Sequence, residues 1–346
     1  GAALAERLAQ QVQARLVIVG RTPIPPRESW PALLADDATP SNIRQRLEQV
    51  QMLEAHGAEV IAVVADVADK AQMQLALDMV HERFGAINGL FHVAGLPGEG
   101  LMQLKEVADA AQVLRPKVQG TLVLDELLQD EPLDFMVLYS SIVVAMSGLG
   151  EVDYCAANAF LDAFAHHRRQ RGQTAVAINW GMWQWNDWQS SLAQTMPDVY
   201  AKMAESRQQY GFTFDEGVDA LWRIMASPLP QVLVSSLDLE TAATLWHALT
   251  YEGTMQRMEK AEEKPTHPRP NLRTPYVAPR DLLEQKIAAV WAQCLGVEKV
   301  GVHDRFQELG GNSLLGIAII SRLKEALDAQ FIGIQIHRQP LPHPAF

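Results

Sequence analysis

Only two cysteines, Cys155 and Cys294, occur in 346 residues, on opposite sides of a change in composition. That excludes a disulfide framework and a cysteine-based zinc site, so no metal is expected. No apolar run approaches the ~18–20 residues that a membrane-spanning helix needs. Positive charge is also scarce. Lys and Arg number 29 against 41 Asp and Glu, for a formal net charge of −12. An acidic balance argues against a nucleic-acid partner. It suits a soluble enzyme, and a cytoplasmic location is expected, with no membrane among the partners. The N-terminal Gly1-Ala2-Ala3-Leu4-Ala5-Glu6-Arg7 lacks the basic start and apolar stretch of a signal peptide. A strand ahead of the first amphipathic helix is missing too.

What is present supports a folded chain. Hydrophobic residues make up 48%, which is enough for a core. The length leaves room for one large and one small domain. Short apolar runs read as strands over 15–20, 59–65, 87–93, 134–139, 174–180 and 231–236. Amphipathic stretches over 2–13, 42–56, 70–84, 109–128 and 156–170 read as the helices between them. Residues 22–39, rich in Pro and Asp, read as an inserted loop. Strands alternating with helices predict a doubly wound parallel sheet covered on both faces. That unit is expected over 1–250. A charged, Pro-rich linker follows over 251–280. A small all-α unit is expected over 281–328, and an atypical tail over 329–346.

One constellation carries chemistry. Ser141 ends the apolar run Phe135-Met136-Val137-Leu138-Tyr139-Ser140, and Tyr154 lies 13 residues further on. Asn158 follows Tyr154 by four residues, so both can face one site from a helix. A strand-end hydroxyl beside a phenol can bind one carbonyl oxygen. A nearby lysine, Lys117, can hold the phenol's pKa low and relay a proton. Ketone reduction by hydride, with Tyr154 protonating the oxygen, is the chemistry this suggests. Ser140 is expected to bond the strand-end backbone, and Cys155 to be a small buried residue rather than a nucleophile. Trp183, Trp185 and Trp188 either line a substrate groove or pack a lid.

Residues 1 to about 248 resemble a modular polyketide synthase ketoreductase, a relative of the short-chain dehydrogenases. The matching strings are Val19-Gly20-Arg21-Thr22, Ala65-Asp66-Val67-Ala68-Asp69, Phe91-His92-Val93-Ala94-Gly95, Tyr139-Ser140-Ser141, the run from Tyr154 to Ala163, and Ile178-Asn179-Trp180-Gly181. Ordinary short-chain dehydrogenases place a lysine four residues after the tyrosine. Here that position is Asn158, and Lys117 stands 24 residues before Ser141, the ketoreductase order. The resemblance implies a Rossmann-like fold, with Tyr154, Ser141, Lys117 and Asn158 as catalytic residues and NADPH as cofactor. Gly1 would be the last glycine of the phosphate-binding fingerprint, whose strand and earlier glycines are missing. Arg21, in the loop after a strand, would pair with the ribose 2′-phosphate. Asp66 and Val67 would flank the adenine, Ala94 and Gly95 the ribose, and Trp180 and Gly181 the nicotinamide. The family's Leu-Asp-Asp stereochemical marker is replaced by Leu96-Pro97-Gly98-Glu99, and Met146 stands where other members carry Trp. This leans toward the second stereochemical group.

Leu309-Gly310-Gly311-Asn312-Ser313-Leu314 resembles the attachment site of an acyl carrier domain. An exposed serine opening a helix can receive 4′-phosphopantetheine, whose phosphate the helix N-terminus favours. After Leu327 the likeness is lost, and the carrier bundle is expected to lack a packing helix. The implied partners are a carrier-bound β-ketoacyl thioester, a phosphopantetheinyl transferase, and other synthase domains such as ketosynthase, acyltransferase and dehydratase. The alternatives are a free-standing NADPH-dependent reductase of small ketones and a catalytically silent scaffold and carrier fragment.

Overall fold

The computed structural model describes residues 1–98, 102, 105–146, 151–185, 197–247, 267–272, 274–306, 308–311 and 313–326. The chain divides into two compact units, Gly1–Trp246 and His247–Phe346.

In the first unit α1 (Ala2–Val12) leads into β1 (Arg15–Gly20). Then come α2 (Trp30–Ala35), α3 (Ser41–Ala55), β2 (Glu59–Val64), α4 (Lys70–Phe84) and β3 (Gly89–His92). α5 (Val107–Leu127), β4 (Phe135–Ser141), the short α6 (Val143–Met146), α7 (Val152–Gln170) and β5 (Val176–Trp180) follow. The unit continues with α8 (Pro197–Tyr210), α9 (Phe214–Met225), β6 (Gln231–Val234) and α10 (Leu239–His247). Every strand pairing is parallel. Met136, Val137, Leu138 and all of β5 are buried, as strands covered on both faces must be. β3 is shorter than its apolar run because the Ile87 N–H bonds the Glu131 carboxylate instead of a ladder partner. α7 starts earlier than its apolar pattern, so Tyr154 sits in its first turn.

The sheet comes in two parts. Among the described residues β1 pairs only with β2, while β3–β4–β5–β6 form a second ladder in that order. A doubly wound sheet reverses its winding at one strand position. Here the described strands form two separate ladders, and helices carry the core from one to the other. Leu4 and Leu8 of α1 pack around Val137 and Ile178. Ala5 and Ala9 of the same helix pack with Leu47, Val50 and Leu53. Met73, Ala76 and Leu77 of α4 join Val63 to Met136, Leu138 and Leu161.

In the second unit α11 (Leu282–Leu295) is capped by Asp281, whose carboxylate accepts the Glu284 N–H at 2.8 Å. It stops at Gly296, whose φ of 67° a side chain would disfavour. α12 (Ser313–Ala326) packs on it through Ile319 and Leu323 against Val290, Cys294 and Phe306. The segment expected as a solvated linker through Arg280 is anchored from His267 onward. His267 bridges to Val297, Leu272 packs near Val300 and Leu309, and Arg269 Nε donates to Asp304 at 2.8 Å. Proline stiffens this stretch, but its side chains find partners. Residues 251–266 of the expected linker and the whole atypical tail lie outside the described residues. No helix among the described residues is long and apolar enough to cross a membrane.

Candidate active site

Parallel strands in an open α/β sheet present their carboxyl ends to ligand. That edge holds nearly every site residue expected from the first unit's sequence. Gly20 and Arg21 leave β1, Asp66 and Val67 follow β2, Ala94 and Gly95 follow β3, Ser141 ends β4, and Trp180 and Gly181 end β5. Register fixes the last two, since Ser141 lies opposite Trp180 in the β4–β5 pair.

Tyr154 and Asn158 stand one turn apart on α7, next to the end of β4. Side-chain hydrogen bonds from Ser141 and Asn158 reach the Tyr154 phenol. Asn158 Nδ2 also donates to the Tyr154 carbonyl at 2.7 Å. Lys117 is buried in the middle of α5, and its ammonium donates to the Tyr139 carbonyl at 2.7 Å. Burial lowers the Lys117 pKa to about 8, opposed by the charge of Asp162. The Tyr154 phenol departs from the sequence expectation. Burial raises its pKa, the Glu151 charge adds to that, and the hydrogen bonds from Ser141 and Asn158 pull it back. Desolvation is the largest of these effects. A phenol in this state is a protonated donor at neutral pH.

Charge gathers in the turn before Tyr154. Lys105 and Asp153 form a nearly dry ion pair at 2.5 Å. Burial and Asp153 together push Glu151 up to about 7, against the pull of Lys105. The loop after β3 passes so close that a Cβ on Gly98 would overlap the Asp153 carboxylate and meet Tyr154 Cβ at 2.9 Å.

The model of the KR domain family matches residues 1–185. The chain belongs to the KR domain family. A second match, to a phosphopantetheine attachment site, covers residues 285–331. Polyketide synthase PksL of Bacillus subtilis strain 168 is 29% identical over 324 residues, 91% of this chain and 7% of that protein. The 6-methylsalicylic acid synthase of Aspergillus terreus is 29% identical over 338 residues, 94% of this chain and 18% of that protein. The chain thus spans under a fifth of these curated relatives. Among solved structures, a ketoreductase domain from the bacillaene assembly line is 27% identical with a TM-score of 0.59, covering 71% of this chain and 55% of that one.

Two guanidinium groups stand near the carboxyl end of β1 in the KR domain. Arg21 is exposed, and none of the ion pairs among the described residues engages it. A second guanidinium, Arg46 of α3, lies over Gly20 and donates to the Thr22 carbonyl at 2.9 Å. Gly1 is the N-cap of α1; an added Cβ there would meet nothing, while burial lowers the pKa of its amino group. Other expected ligand residues are partly committed elsewhere. Asp66 caps its own turn by accepting the Ala68 N–H at 2.9 Å, and it lies 3.4 Å from Arg115. Val67 packs beneath Gly120. Trp180 is buried among Tyr139, Trp183 and Phe212, and Gly181 approaches the Val234 carbonyl so closely that a Cβ would stand 2.8 Å from it.

The remaining expectations separate. Ser140 bonds not the strand end but the Asn158 carbonyl, at 3.3 Å. Cys155 is half-buried, with Sγ donating to the Val143 carbonyl at 3.6 Å. Trp183 packs against Phe212 and Phe214, whereas Trp185 is exposed beside Phe214. Trp188, Glu99 and Asn312 lie outside the described residues. Ser313 opens α12.

His92 and Arg46 were missed as site residues. Neither sits at a telling spacing, and only tertiary packing brings them in. His92, at the end of β3, bonds the Pro116 carbonyl at 3.1 Å, beside Lys117. Burial and the Lys117 charge hold its pKa at about 3, down from 6.5. The folded state keeps this imidazole neutral, while the unfolded chain protonates it below 6.5. His92 therefore contributes stability that is intact above pH 6.5 and is lost as the pH falls from 6.5 toward 3. Urea unfolding midpoints should drop across that window, and less steeply in His92→Asn. Parallel slopes in the two proteins would remove His92 as the cause.

Proposed function

We propose that the KR domain reduces a carrier-bound β-ketoacyl thioester to the β-hydroxyacyl thioester, and that the second unit is an acyl carrier domain. The observation that carries this is the convergence of Tyr154, Ser141 and Asn158 at the carboxyl end of β4, with Lys117 buried behind them. NADPH, when bound, supplies a hydride to the β-carbon. Ser141 and Tyr154 orient the keto oxygen with two hydroxyls, and Tyr154 transfers its proton to that oxygen. Lys117, with a pKa of about 8, exchanges protons readily near neutral pH and, with Asn158, restores the phenol. Gly1 and the N-terminus of α1 would face the pyrophosphate. Asp66 and Val67 would border the adenine, Ala94 and Gly95 the ribose, and Trp180 and Gly181 the nicotinamide.

Ser313, at the head of α12, would carry 4′-phosphopantetheine placed there by a phosphopantetheinyl transferase. The helical bundle of the carrier would include α11 and α12. The larger synthase would supply ketosynthase, acyltransferase and dehydratase partners, working in the cytoplasm. A second reading, a carrier fragment without reductase activity, is favoured by the division of the described strands into two separate ladders. The deciding experiment is NADPH fluorescence on titration with the protein, followed by NADPH oxidation with a β-ketoacyl thioester. Binding and turnover support the reductase, and neither would leave only the carrier.

Arg21 is the residue expected to select NADPH. Arg21→Ala should weaken NADPH by about one to two decades, since charge-assisted hydrogen bonds contribute roughly 1.5–3 kcal/mol. NADH, which has no 2′-phosphate, should bind unchanged. Equal losses for both cofactors would move the contact elsewhere, with Arg46 the next choice.

A further inference from the structure

Two stretches of chain meet at the start of α7. Asp153 is the second residue of that helix and is buried. Its Oδ2 accepts Lys105 Nζ at 2.5 Å, from just ahead of α5. The Lys105 and Asp153 side chains are only 6% and 2% exposed. Asp153 Oδ1 accepts the Tyr154 N–H at 2.9 Å, one of the first-turn donors that have no partner within a helix. Gly98, from the loop after β3, packs on the same spot, where a Cβ would overlap the Asp153 carboxylate and stand 2.9 Å from Tyr154 Cβ. The backbone of the proposed acid and two other stretches of chain thus converge on one carboxylate.

Stability alone does not account for a charge pair in this place. Taking two charges out of water is costly, and apolar side chains of similar volume commonly hold a fold as well. The other well-buried pairs, Arg168 with Asp125 and Arg269 with Asp304, each leave one partner more than a tenth exposed. What an ion pair adds over an apolar contact is a short, directional bond of about twice the usual strength. We propose that Lys105 and Asp153 are a positioning pair, which ties the segment entering α5 to the first turn of α7 and holds Tyr154 where its proton can reach the keto oxygen. This rests on the reading of Tyr154 as the proton donor.

The placement suits that role. Tyr154 follows Asp153 directly, so any movement of the pair moves the backbone that carries the phenol. The loop that brings Gly98 to Asp153 begins with Ala94 and Gly95, the residues assigned to the cofactor ribose. Acid and cofactor edge therefore share one anchor. Glu151 brings a second carboxylate to the same turn, and Lys105 is the cation that acts on both.

Three variants of the full chain separate positioning from bracing: Lys105→Met, Asp153→Asn and the two combined. Asparagine keeps an oxygen for the Tyr154 N–H. Lys105→Met leaves a buried carboxylate unpaired and Asp153→Asn a buried ammonium, so the urea midpoint should fall in each. The combined variant has neither charge and should regain part of that loss. Its kcat for a β-ketoacyl thioester should still lie about 10–10²-fold below the parent, the scale of a ~1 Å misplacement, with KM for NADPH unchanged. A kcat that returns to the parent value along with the midpoint would reduce the pair to a brace and overturn the proposal. A second readout needs no turnover. With 3-fluorotyrosine incorporated, the Tyr154 19F resonance is assigned by its disappearance in Tyr154→Phe. It should shift or broaden in the combined variant, and an unmoved resonance overturns the proposal. If the combined variant does not fold, Lys105→Arg decides, since it keeps the charge and lengthens the arm. The 19F resonance should then move and kcat fall, and no change in either overturns the pair's role. A parent chain without turnover sinks the reductase reading, and the 19F signal then decides the hold on Tyr154 by itself.

Discussion

Tyr154→Phe lowers the rate of β-ketoacyl thioester reduction by about 10²–10⁴-fold, the usual loss for a positioned general acid. The phenol shares a side-chain hydrogen bond with Ser141, and burial keeps it protonated at neutral pH. Phenylalanine preserves the ring and its packing, so the melting temperature should stay near that of the parent. NADPH affinity should also hold, because cofactor contacts are assigned to the strand ends β1, β2, β3 and β5. Turnover of NADPH with a short-chain β-ketoacyl thioester is the measurement. Near-normal turnover in the variant would transfer the acid role to another group. A parallel loss in Ser141→Ala, with Tyr154 intact, is expected to be smaller, since a second hydroxyl still binds the oxygen.

Ser313→Ala is expected to abolish phosphopantetheinylation altogether. Incubation with coenzyme A and a broad-specificity transferase should add one arm to the peptide spanning Gly310 to Arg322, as read by mass spectrometry. The alanine variant has no oxygen to accept it. Ser313 begins a 14-residue helix, so the phosphate would rest at a helix N-terminus, where unpaired amides and the dipole favour it. A decisive control replaces the residues after Leu327 with a complete carrier C-terminus. If this chain remains unmodified at Ser313 while a known carrier in the same tube is labelled, the carrier assignment is wrong.

Much of the molecule was legible from local pattern. Apolar runs located each strand of the parallel ladders, because a strand buried on both faces must be apolar throughout. The spacing of Tyr154 and Asn158 was read as one helix face, and both stand there on α7. The cofactor residues that the resemblance implies stand just after strands, at the carboxyl edge of the sheet. Less legible were the neighbours that only packing supplies. His92 meets Pro116 across 24 positions and Asp162 meets Gln231 across 69, distances over which periodicity carries no signal.

The sequence by itself determined the order of the strands and the family, since these depend on short-range spacing and residue type, whereas the helix Trp30–Ala35 arises inside the stretch 22–39 that reads as a loop. Tertiary structure alone decided the electrostatics. The sequence reading had Lys117 lowering the Tyr154 pKa, yet the folded chain raises it. Lys117 is committed to the Tyr139 carbonyl and answers to Asp162. A pKa depends on how much water a group has lost and on which charges stand near it in space. Both are set only when helices α5 and α7 close over the end of β4.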